Sequence, residues 1–277
     1  MQWKQAMDDE MENLRNMGTW IQTDLSKGRE VIGCKWVYLR KKDENRTIMQ
    51  YKARLVTQGF SQKPAIDHSD NGTFAPVMRF ETLRTMLVHS AINNWKIRHF
   101  DIKEAYLHGD LEEEIYMAQA PGYHNGSGKV YSLQCALYGL KQAGNVWNTK
   151  LNNVLTNLGF MQLKTDYYCY IRKEGKDQTI LLIWVDDFIS IATKEKLNDQ
   201  IEDELQSHFK VKSLGKPSLV ISIKITQEDH KITLTQTHYI DKLLLKYGLQ
   251  DANPVSTPMD LNIKLDNLKE SPEEEKS

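Results

Sequence analysis

Apolar side chains recur at helical spacing in some segments and alternate or run together in others. The first pattern predicts helices over residues 3–17, 79–93, 140–158 and 195–208, with a further helix ending before Gly248. The second pattern predicts strands over 31–40, 49–57, 95–102, 168–173, 179–185, 188–193, 219–226 and 231–235. Because these elements mix without a regular βαβ repeat, we expect an α+β fold built on an antiparallel sheet.

The strand predicted over 49–57 has one charged face. Apolar residues alternate with polar ones there, so Lys52 and Arg54 share the face opposite Ala53 and Leu55. The polar stretch 41–46 separates this strand from the preceding one and predicts the turn of a hairpin. A solvated surface hairpin is one explanation of the basic residues, and a phosphate-binding surface is the other.

Two adjacent carboxylates interrupt the most apolar part of the chain. Asp186 and Asp187 lie between two strand-length apolar runs, and Asp101 lies near the end of the strand over 95–102. Like charges beside a core resist desolvation unless a cation or hydrogen bonds compensate them. A solvent-exposed turn at 186–187 and a helix-capping or turn role for Asp101 remain open alternatives.

Three carboxylates at one sheet edge would suit Mg²⁺ or Mn²⁺. These ions prefer oxygen ligands and accept phosphate oxygens at their remaining positions. Two-metal phosphoryl and nucleotidyl transfer uses such a set. Phosphoryl transfer and nucleotidyl transfer are therefore both compatible with Asp101, Asp186 and Asp187.

Composition narrows the class of protein. The 277 residues carry a net charge of −1, which excludes a uniformly basic DNA-coating protein. Residues 35–63 nevertheless hold eight basic residues against two acidic ones.

The three cysteines form no CxxC pair, so neither a zinc knuckle nor a disulfide framework is supported. The sequence predicts neither a secretory signal nor a membrane span, so we expect an intracellular protein, cytoplasmic or nuclear, with a disordered segment over 267–277.

Five ordered motifs give the sequence a family resemblance. The chain, from about residue 3 to residue 258, resembles the reverse transcriptase of Ty1/copia-type LTR retrotransposons. The resemblance rests on YKARLV (51–56), GTFAPV (72–77), FDIKEAYLHGDLEEEIYM (100–117), LYGLKQAGNVWN (137–148) and WVDD (184–187).

The resemblance implies a right-hand polymerase fold. We expect one reverse transcriptase domain over 1–258 and a charged, disordered tail over 259–277. Within the domain, the fingers would span roughly 20–95, the palm 96–235 and the start of a thumb 236–258. The implied activity is RNA-directed DNA polymerisation, in which a deoxynucleoside triphosphate reacts with a primer 3′-OH on an RNA or DNA template.

The resemblance also implies roles for single residues. Asp101, Asp186 and Asp187 match the catalytic carboxylates that hold two Mg²⁺ or Mn²⁺ ions. Tyr106 matches the aromatic residue that crowds the sugar C2′ and so selects deoxynucleotides. Lys52 and Arg54 match residues that contact the incoming triphosphate. Lys141 and Gln142 match the segment beneath the nascent base pair, where Gln142 is expected to bind the deoxynucleotide. Phe74, Ala75 and Pro76 match a template-side loop.

Other residues receive no chemical role, and a few depart from the family pattern. Trp147 is predicted to be core, and neither His99 nor Lys103 is assigned a direct part. Trp184 stands where relatives carry another aromatic residue, and Ser222 and Ala65 each replace a usual glycine. The protease, integrase and ribonuclease H regions of the family are missing, so we expect a fragment or a processed piece. The alternative function is an inactive remnant that only binds nucleic acid.

Overall fold

The computed structural model describes residues 2–42, 47–63, 66–67 and 77–256. The chain forms a large unit, Met1–Ser218 with Ile225–Thr233, and a small unit, Leu219–Lys224 with Leu234–Ser277. The described residues form helices and largely antiparallel sheets, which confirms the predicted α+β class. Among the described residues, no helix has the length and apolar character needed to cross a membrane.

A six-stranded antiparallel sheet carries the interrupted apolar strands. Its strand order is β12-β5-β11-β10-β9-β8. The central strands β10 and β11 bury consecutive residues, so both of their faces are covered. The bounds are β5 Lys96–Ile102, β8 Met161–Gln162, β9 Cys169–Glu174, β10 Asp177–Trp184, β11 Asp187–Ala192 and β12 Val211–Gly215.

Helices α3 (Ala143–Asn157) and α4 (Glu195–Gln206) supply side chains to the main core beneath this sheet. The apolar stripe of α3 follows helical spacing, and Gly159, at φ +82°, comes shortly after its end. Helix α2 (Phe80–Asn93) ends where Asn94 adopts a left-handed conformation at φ +52°. The core joins residues of α3 and α4 to those of the sheet: Trp147, Leu151, Val154, Leu155, Ile201 and Leu205 with Phe100, Ile102, Tyr170, Leu181, Ile183 and Phe188.

A second core lies under the N-terminal helix. Helix α1 (Gln2–Asn16) buries Ala6, Met11 and Leu14, and it packs along β4. Strand β4 forms a long antiparallel hairpin with β3. A four-stranded sheet of order β1-β7-β6-β2 completes this region, in which only β2 and β6 run parallel. The bounds are β1 Trp20–Thr23, β2 Val31–Ile32, β3 Cys34–Lys42, β4 Ile48–Thr57, β6 Tyr116–Met117 and β7 Val130–Leu133.

The C-terminal elements are small. Strand β13 (Leu219–Val220) pairs with the start of β14 (Ile223–Glu228) through a two-residue turn. Both turn residues, Ile221 at φ +50° and Ser222 at φ +64°, have positive φ. Strand β15 (Lys231–Thr235) and helix α5 (Thr237–Lys246) follow.

Three predicted elements need correction. The helix predicted from residue 140 begins at Ala143, because residues 140–142 form the turn that precedes it. The strand predicted over 219–226 is broken by the turn at 221–222. The run 31–40 is divided at Gly33, where a Cβ would lie 2.1 Å from Oε1 of Gln58.

Some elements have no counterpart in the sequence prediction. The pattern missed β1, β6, β7, β8 and β12, which are short or mostly exposed strands. The predicted template-side loop at Phe74, Ala75 and Pro76, the Ala65 departure and the disordered tail all lie outside the described residues.

Candidate active site

The adjacent carboxylates lie on a hairpin, whose turn comes one residue earlier than the 186–187 turn considered from the sequence. Strands β10 and β11 pair antiparallel up to Trp184 and Asp187, so Val185 and Asp186 form a two-residue turn. Val185 has φ +59°, a left-handed conformation that is unfavourable for a β-branched residue. The sequence therefore places Asp186 on a tight, strained turn at the end of the sheet.

Strand β5 brings the third carboxylate to the same place. Asp101 is the register partner of Asp187, with β5 next to β11 in the sheet. The backbone N–H of Ile102 donates to the carbonyl oxygen of Asp186 at 2.8 Å, which ties the turn to β5. Asp101, Asp186 and Asp187 thus lie together where these inner strands end, a place referred to below as the carboxylate edge.

Three carboxylates lie close together at this edge, and their negative charges repel one another. Burial raises the pKa of the Asp186 carboxyl, and the neighbouring charges of Asp187 and Asp101 raise that pKa further. Two basic side chains already contact the other carboxylates. Lys103 forms an ion pair with Asp101, and His99 Nε2 lies 2.8 Å from Oδ1 of Asp187.

The donor chemistry fits a hard divalent cation. Side-chain carboxylates are the oxygen ligands that Mg²⁺ and Mn²⁺ accept, and the clustered charge of this edge favours a cation. In the described ranges, no three His, Cys, Asp or Glu side chains are already arranged around a common metal position. The ion pairs of Asp101 and Asp187 are consistent with that finding, because each turns a carboxylate toward a basic partner.

A row of aromatic and basic side chains leads from β4 toward the carboxylates. Ala53 and Leu55 are buried, whereas Lys52 and Arg54 lie on the more open face, as the alternation predicts. The Arg54 guanidinium sits 4.8 Å from the centre of the Tyr138 ring. Tyr106 is the next side chain of this row, and it contacts Tyr138.

Tyr106 meets Tyr138 edge-on, with ring centres 5.1 Å apart. Burial raises the pKa of Tyr106, and the negative charge of Asp186 raises that pKa further. Burial, opposed by Arg54, raises the pKa of Tyr138 to about 12. Arg54, Tyr138, Tyr106 and the carboxylate edge therefore belong to one continuous surface.

Two glycines allow this surface to form. Gly139 has φ +95°, and a Cβ there would lie 2.1 Å from the carbonyl oxygen of Thr57. A Cβ on Gly59 would lie 2.0 Å from the carbonyl oxygen of Gly139. The end of β4 is bonded to the same segment, because the N–H of Thr57 donates to the carbonyl oxygen of Tyr138 at 2.8 Å. Close backbone packing thus fixes Arg54 relative to Tyr138.

Gln142 is buried immediately before α3, and its side-chain amide makes two internal hydrogen bonds. Its Nε2 donates to the carbonyl oxygen of Asp67 at 2.7 Å, and its Oε1 accepts from Gln62 Nε2 at 3.0 Å. The backbone N–H of Lys141 donates to Oε1 of the same Gln62 at 2.8 Å. The direct nucleotide contact expected of Gln142 stays a prediction, and the observed contacts join Gln142 to Gln62 and Asp67.

Sequence reasoning assigned no chemical part to three residues of this site. His99 lies two positions before Asp101 on β5, where period-2 spacing could have identified it, and Lys103 follows Asp101 by two positions, just after the strand ends. Tyr138 was not singled out, although it lies within the quoted 137–148 motif.

Comparison with known proteins supports the family resemblance. The model of the reverse transcriptase (RNA-dependent DNA polymerase) family matches residues 17–261. The Retrovirus-related Pol polyprotein from transposon TNT 1-94 of Nicotiana tabacum is 36% identical over 269 residues, which cover 95% of this chain and 20% of that protein. The Transposon Ty1-BL Gag-Pol polyprotein of Saccharomyces cerevisiae is 30% identical over 218 residues, which cover 76% of this chain and 12% of that protein.

Among solved structures, the chain is similar to a foamy viral protease-reverse transcriptase in complex with double-stranded DNA. That match has a TM-score of 0.46 and 13% identity, and it covers 88% of this chain and 37% of the other. The chain spans about a fifth or less of the length of the two transposon polyproteins named above. On the family match over 17–261, the chain belongs to the reverse transcriptase (RNA-dependent DNA polymerase) family, in its Ty1/copia-type branch, as the sequence motifs predicted.

Proposed function

We propose that this chain is an RNA-directed DNA polymerase that joins a deoxynucleotide to a primer 3′-OH. The observation that carries the proposal is the meeting of Asp101, Asp186 and Asp187 at one sheet edge, next to the row of Arg54, Tyr138 and Tyr106. The six-stranded sheet then corresponds to the palm (roughly 96–235), the β3–β4 hairpin to the fingers (roughly 20–95) and the α5 region to the start of a thumb (236–258).

The proposed reaction is a displacement at phosphorus. The primer 3′-oxygen forms a bond to the α-phosphorus of the nucleotide, the bond from that phosphorus to pyrophosphate breaks, and the 3′-OH proton goes to solvent. Asp101, Asp186 and Asp187 would hold two Mg²⁺ or Mn²⁺ ions, which supply activation of the hydroxyl and neutralisation of the leaving pyrophosphate.

The basic face of β4 would bind the triphosphate. Arg54 presents a planar guanidinium that can bond two phosphate oxygens at once, and Lys52 adds a compact charge beside it. Burial lowers the pKa of Lys52, and the neighbouring Arg54 lowers that pKa further. A bound polyanion would therefore relieve the mutual repulsion of these two cations.

Tyr106 would set sugar selectivity. Its ring is held against Tyr138, and it is close enough to Asp186 for that charge to affect its pKa. A ring fixed at this position would collide with a ribose 2′-OH but leave room for deoxyribose.

A primer-extension assay with an RNA template, a DNA primer and Mg²⁺ tests the proposal. Wild-type protein should incorporate labelled deoxynucleotide, and Asp186→Asn should lower the rate about 10²- to 10³-fold, the loss typical of removing one principal electrostatic group. Asp203→Asn, an exposed aspartate on α4, is the matched control and should retain the wild-type rate. Equal activity in wild type and Asp186→Asn would overturn the assignment.

Two other functions predict different results in the same assay. An inactive remnant would bind the template–primer in a salt-sensitive way without extending it. The positive φ of Ser222, a position where the family resemblance implies glycine, is the observation that favours this alternative. A different metal-dependent phosphotransferase would cleave or transfer phosphate without putting label into the primer.

A further inference from the structure

The turn that carries Asp186 is held in a conformation that its own sequence disfavours. A two-residue turn with positive φ at its first position normally uses Asn, Asp or Gly, yet here that residue is Val185 at φ +59°. Strained conformations of this kind persist only when surrounding contacts determine them. The structure must therefore contain groups that hold Val185 in place.

Trp147 on α3 provides one such group. Its indole Nε1–H donates to the carbonyl oxygen of Val185 at 2.9 Å. Trp147 is fully buried, and its ring packs edge-on against Phe209 with centres 5.1 Å apart. A ring wedged in this way has little freedom to turn away from Val185.

The next carbonyl is held from another direction. The N–H of Ile102 on β5 donates to the carbonyl oxygen of Asp186 at 2.8 Å. Two successive carbonyl groups of the turn are therefore fixed, one by the helix beneath the sheet and the other by the neighbouring strand. Fixing both peptide planes fixes the direction in which the Asp186 side chain leaves the backbone.

We infer that Trp147 is a positioning residue, whose indole N–H holds the strained Val185–Asp186 turn and so aims the Asp186 carboxylate at the reaction centre. Burial alone explains an aromatic ring at this position, but it does not explain a donor aimed at the carbonyl of the one strained residue of the turn. The catalytic part of this inference rests on the proposed polymerase function.

Trp147→Phe removes the donor and keeps a ring in the core. We expect kcat for primer extension to fall about 10- to 100-fold, because misplacing a reacting group by about 1 Å has an effect of that size. The KM for the deoxynucleotide should change less than about threefold, since the triphosphate contacts on β4 are untouched. A kcat within twofold of wild type would overturn the inference.

Tyr170→Phe is the matched control. It deletes a hydroxyl from the same core, where the Tyr170 Oη donates to Oδ1 of Asn152 on α3 at 3.0 Å. We expect Tyr170→Phe to lower the melting temperature, by less than Trp147→Phe because it leaves no cavity, while keeping kcat within twofold of wild type. Equal losses of kcat in both variants would show that Trp147 acts only through core packing and would overturn the inference.

A double variant separates positioning from packing. Asn tolerates positive φ, so Val185→Asn should let the turn keep its shape without the indole. Adding Val185→Asn to Trp147→Phe should recover at least tenfold of the lost kcat. Failure of Val185→Asn to restore any activity in the Trp147→Phe background would contradict the positioning role.

A measurement that needs no catalysis separates the positioning role of Trp147 from the polymerase function. It also remains informative if Trp147→Phe does not fold. In ¹⁵N-indole NMR of the wild type, one indole N–H should exchange slowly with solvent and shift when Mg²⁺ is added, and Asp186→Asn should abolish that shift. Absence of a Mg²⁺-sensitive indole signal would refute the positioning inference. A wild type that shows this signal but incorporates no nucleotide would refute only the polymerase function.

Discussion

Replacing Gly139 with alanine tests whether the end of β4 is fixed to the site by close backbone packing. Alanine would place its Cβ 2.1 Å from the carbonyl oxygen of Thr57 and 2.7 Å from Cγ1 of Val56. Neither contact is physically allowed, so the two segments must separate. The hydrogen bonds that Thr57 makes to the carbonyl oxygen of Tyr138, from its N–H at 2.8 Å and its Oγ1 at 3.0 Å, would be strained or lost.

The expected cost can be worked out from two effects. An alanine at φ +95° pays about 1–2 kcal/mol for the left-handed conformation. Each of the two Thr57 hydrogen bonds contributes about 0.5–1.5 kcal/mol. The free energy of unfolding should therefore fall by about 2–5 kcal/mol.

Gly122→Ala provides the matched control. Gly122 has φ +84°, and a Cβ there meets nothing within 4 Å. Only the conformational cost of about 1–2 kcal/mol should appear in this variant. The difference between the two variants therefore isolates the close approach of Gly139 to Thr57.

Urea unfolding followed by circular dichroism measures both costs, and dNTP titration of primer extension measures the functional effect. Because β4 carries Lys52 and Arg54, Gly139→Ala should raise the KM for the deoxynucleotide, and Gly122→Ala should leave it unchanged. A Gly139→Ala variant that is no less stable than Gly122→Ala would refute the packing argument.

Three further substitutions give independent checks. Ser222→Gly should stabilise the protein by about 0.5–1 kcal/mol, because glycine relieves the cost of φ +64° but loses more chain entropy on folding, and an unchanged urea midpoint would contradict this. Burial raises the pKa of Glu10, so the folded state holds that proton more tightly and loses stability as pH rises above about 4.5. Glu10→Gln should therefore be more stable than wild type at pH 8 but not at pH 4, and a pH-independent difference in melting temperature would count against this. Tyr106→Ala should raise ribonucleotide incorporation relative to deoxynucleotide at least tenfold, a ratio measured by competition in primer extension.

Much of the sheet that carries the site was predictable from local pattern. The apolar runs around Asp186 and Asp187 have strand length and strand composition, and their antiparallel pairing follows from a two-residue connection. Alternation along β4 likewise predicted the shared face of Lys52 and Arg54. These are short-range properties, which a single sequence records directly.

Features set by distant contacts could not be predicted. The strand 219–226 appeared continuous because Ile221 is β-prone, yet the observed turn places it at φ +50°. The family resemblance implied a glycine at the position of Ser222, and the structure gives that residue a positive φ. Trp147 was predicted as core from its spacing, and it is buried. Its hydrogen bond to Val185 depends on the packing of α3 under the β10–β11 turn, which spacing alone does not specify.

The basic partners of the carboxylates show a similar limit. Period-2 spacing puts His99 on the same face of β5 as Asp101, but its pairing with Asp187 on β11 depends on strand order in the sheet. Lys103 directly follows β5, and its ion pair with Asp101 is a local contact between residues two positions apart. Strand order is a tertiary property. The residue types of the site were therefore predictable, whereas the contacts among them were not.

Single-turnover extension of a DNA primer on an RNA template tests the central claim most directly. The rate of labelled deoxynucleotide incorporation should depend on Mg²⁺ in the wild type and should fall about 10²- to 10³-fold in both Asp101→Asn and Asp186→Asn. Retention of the wild-type rate in either variant would contradict the assignment of catalysis to this carboxylate edge.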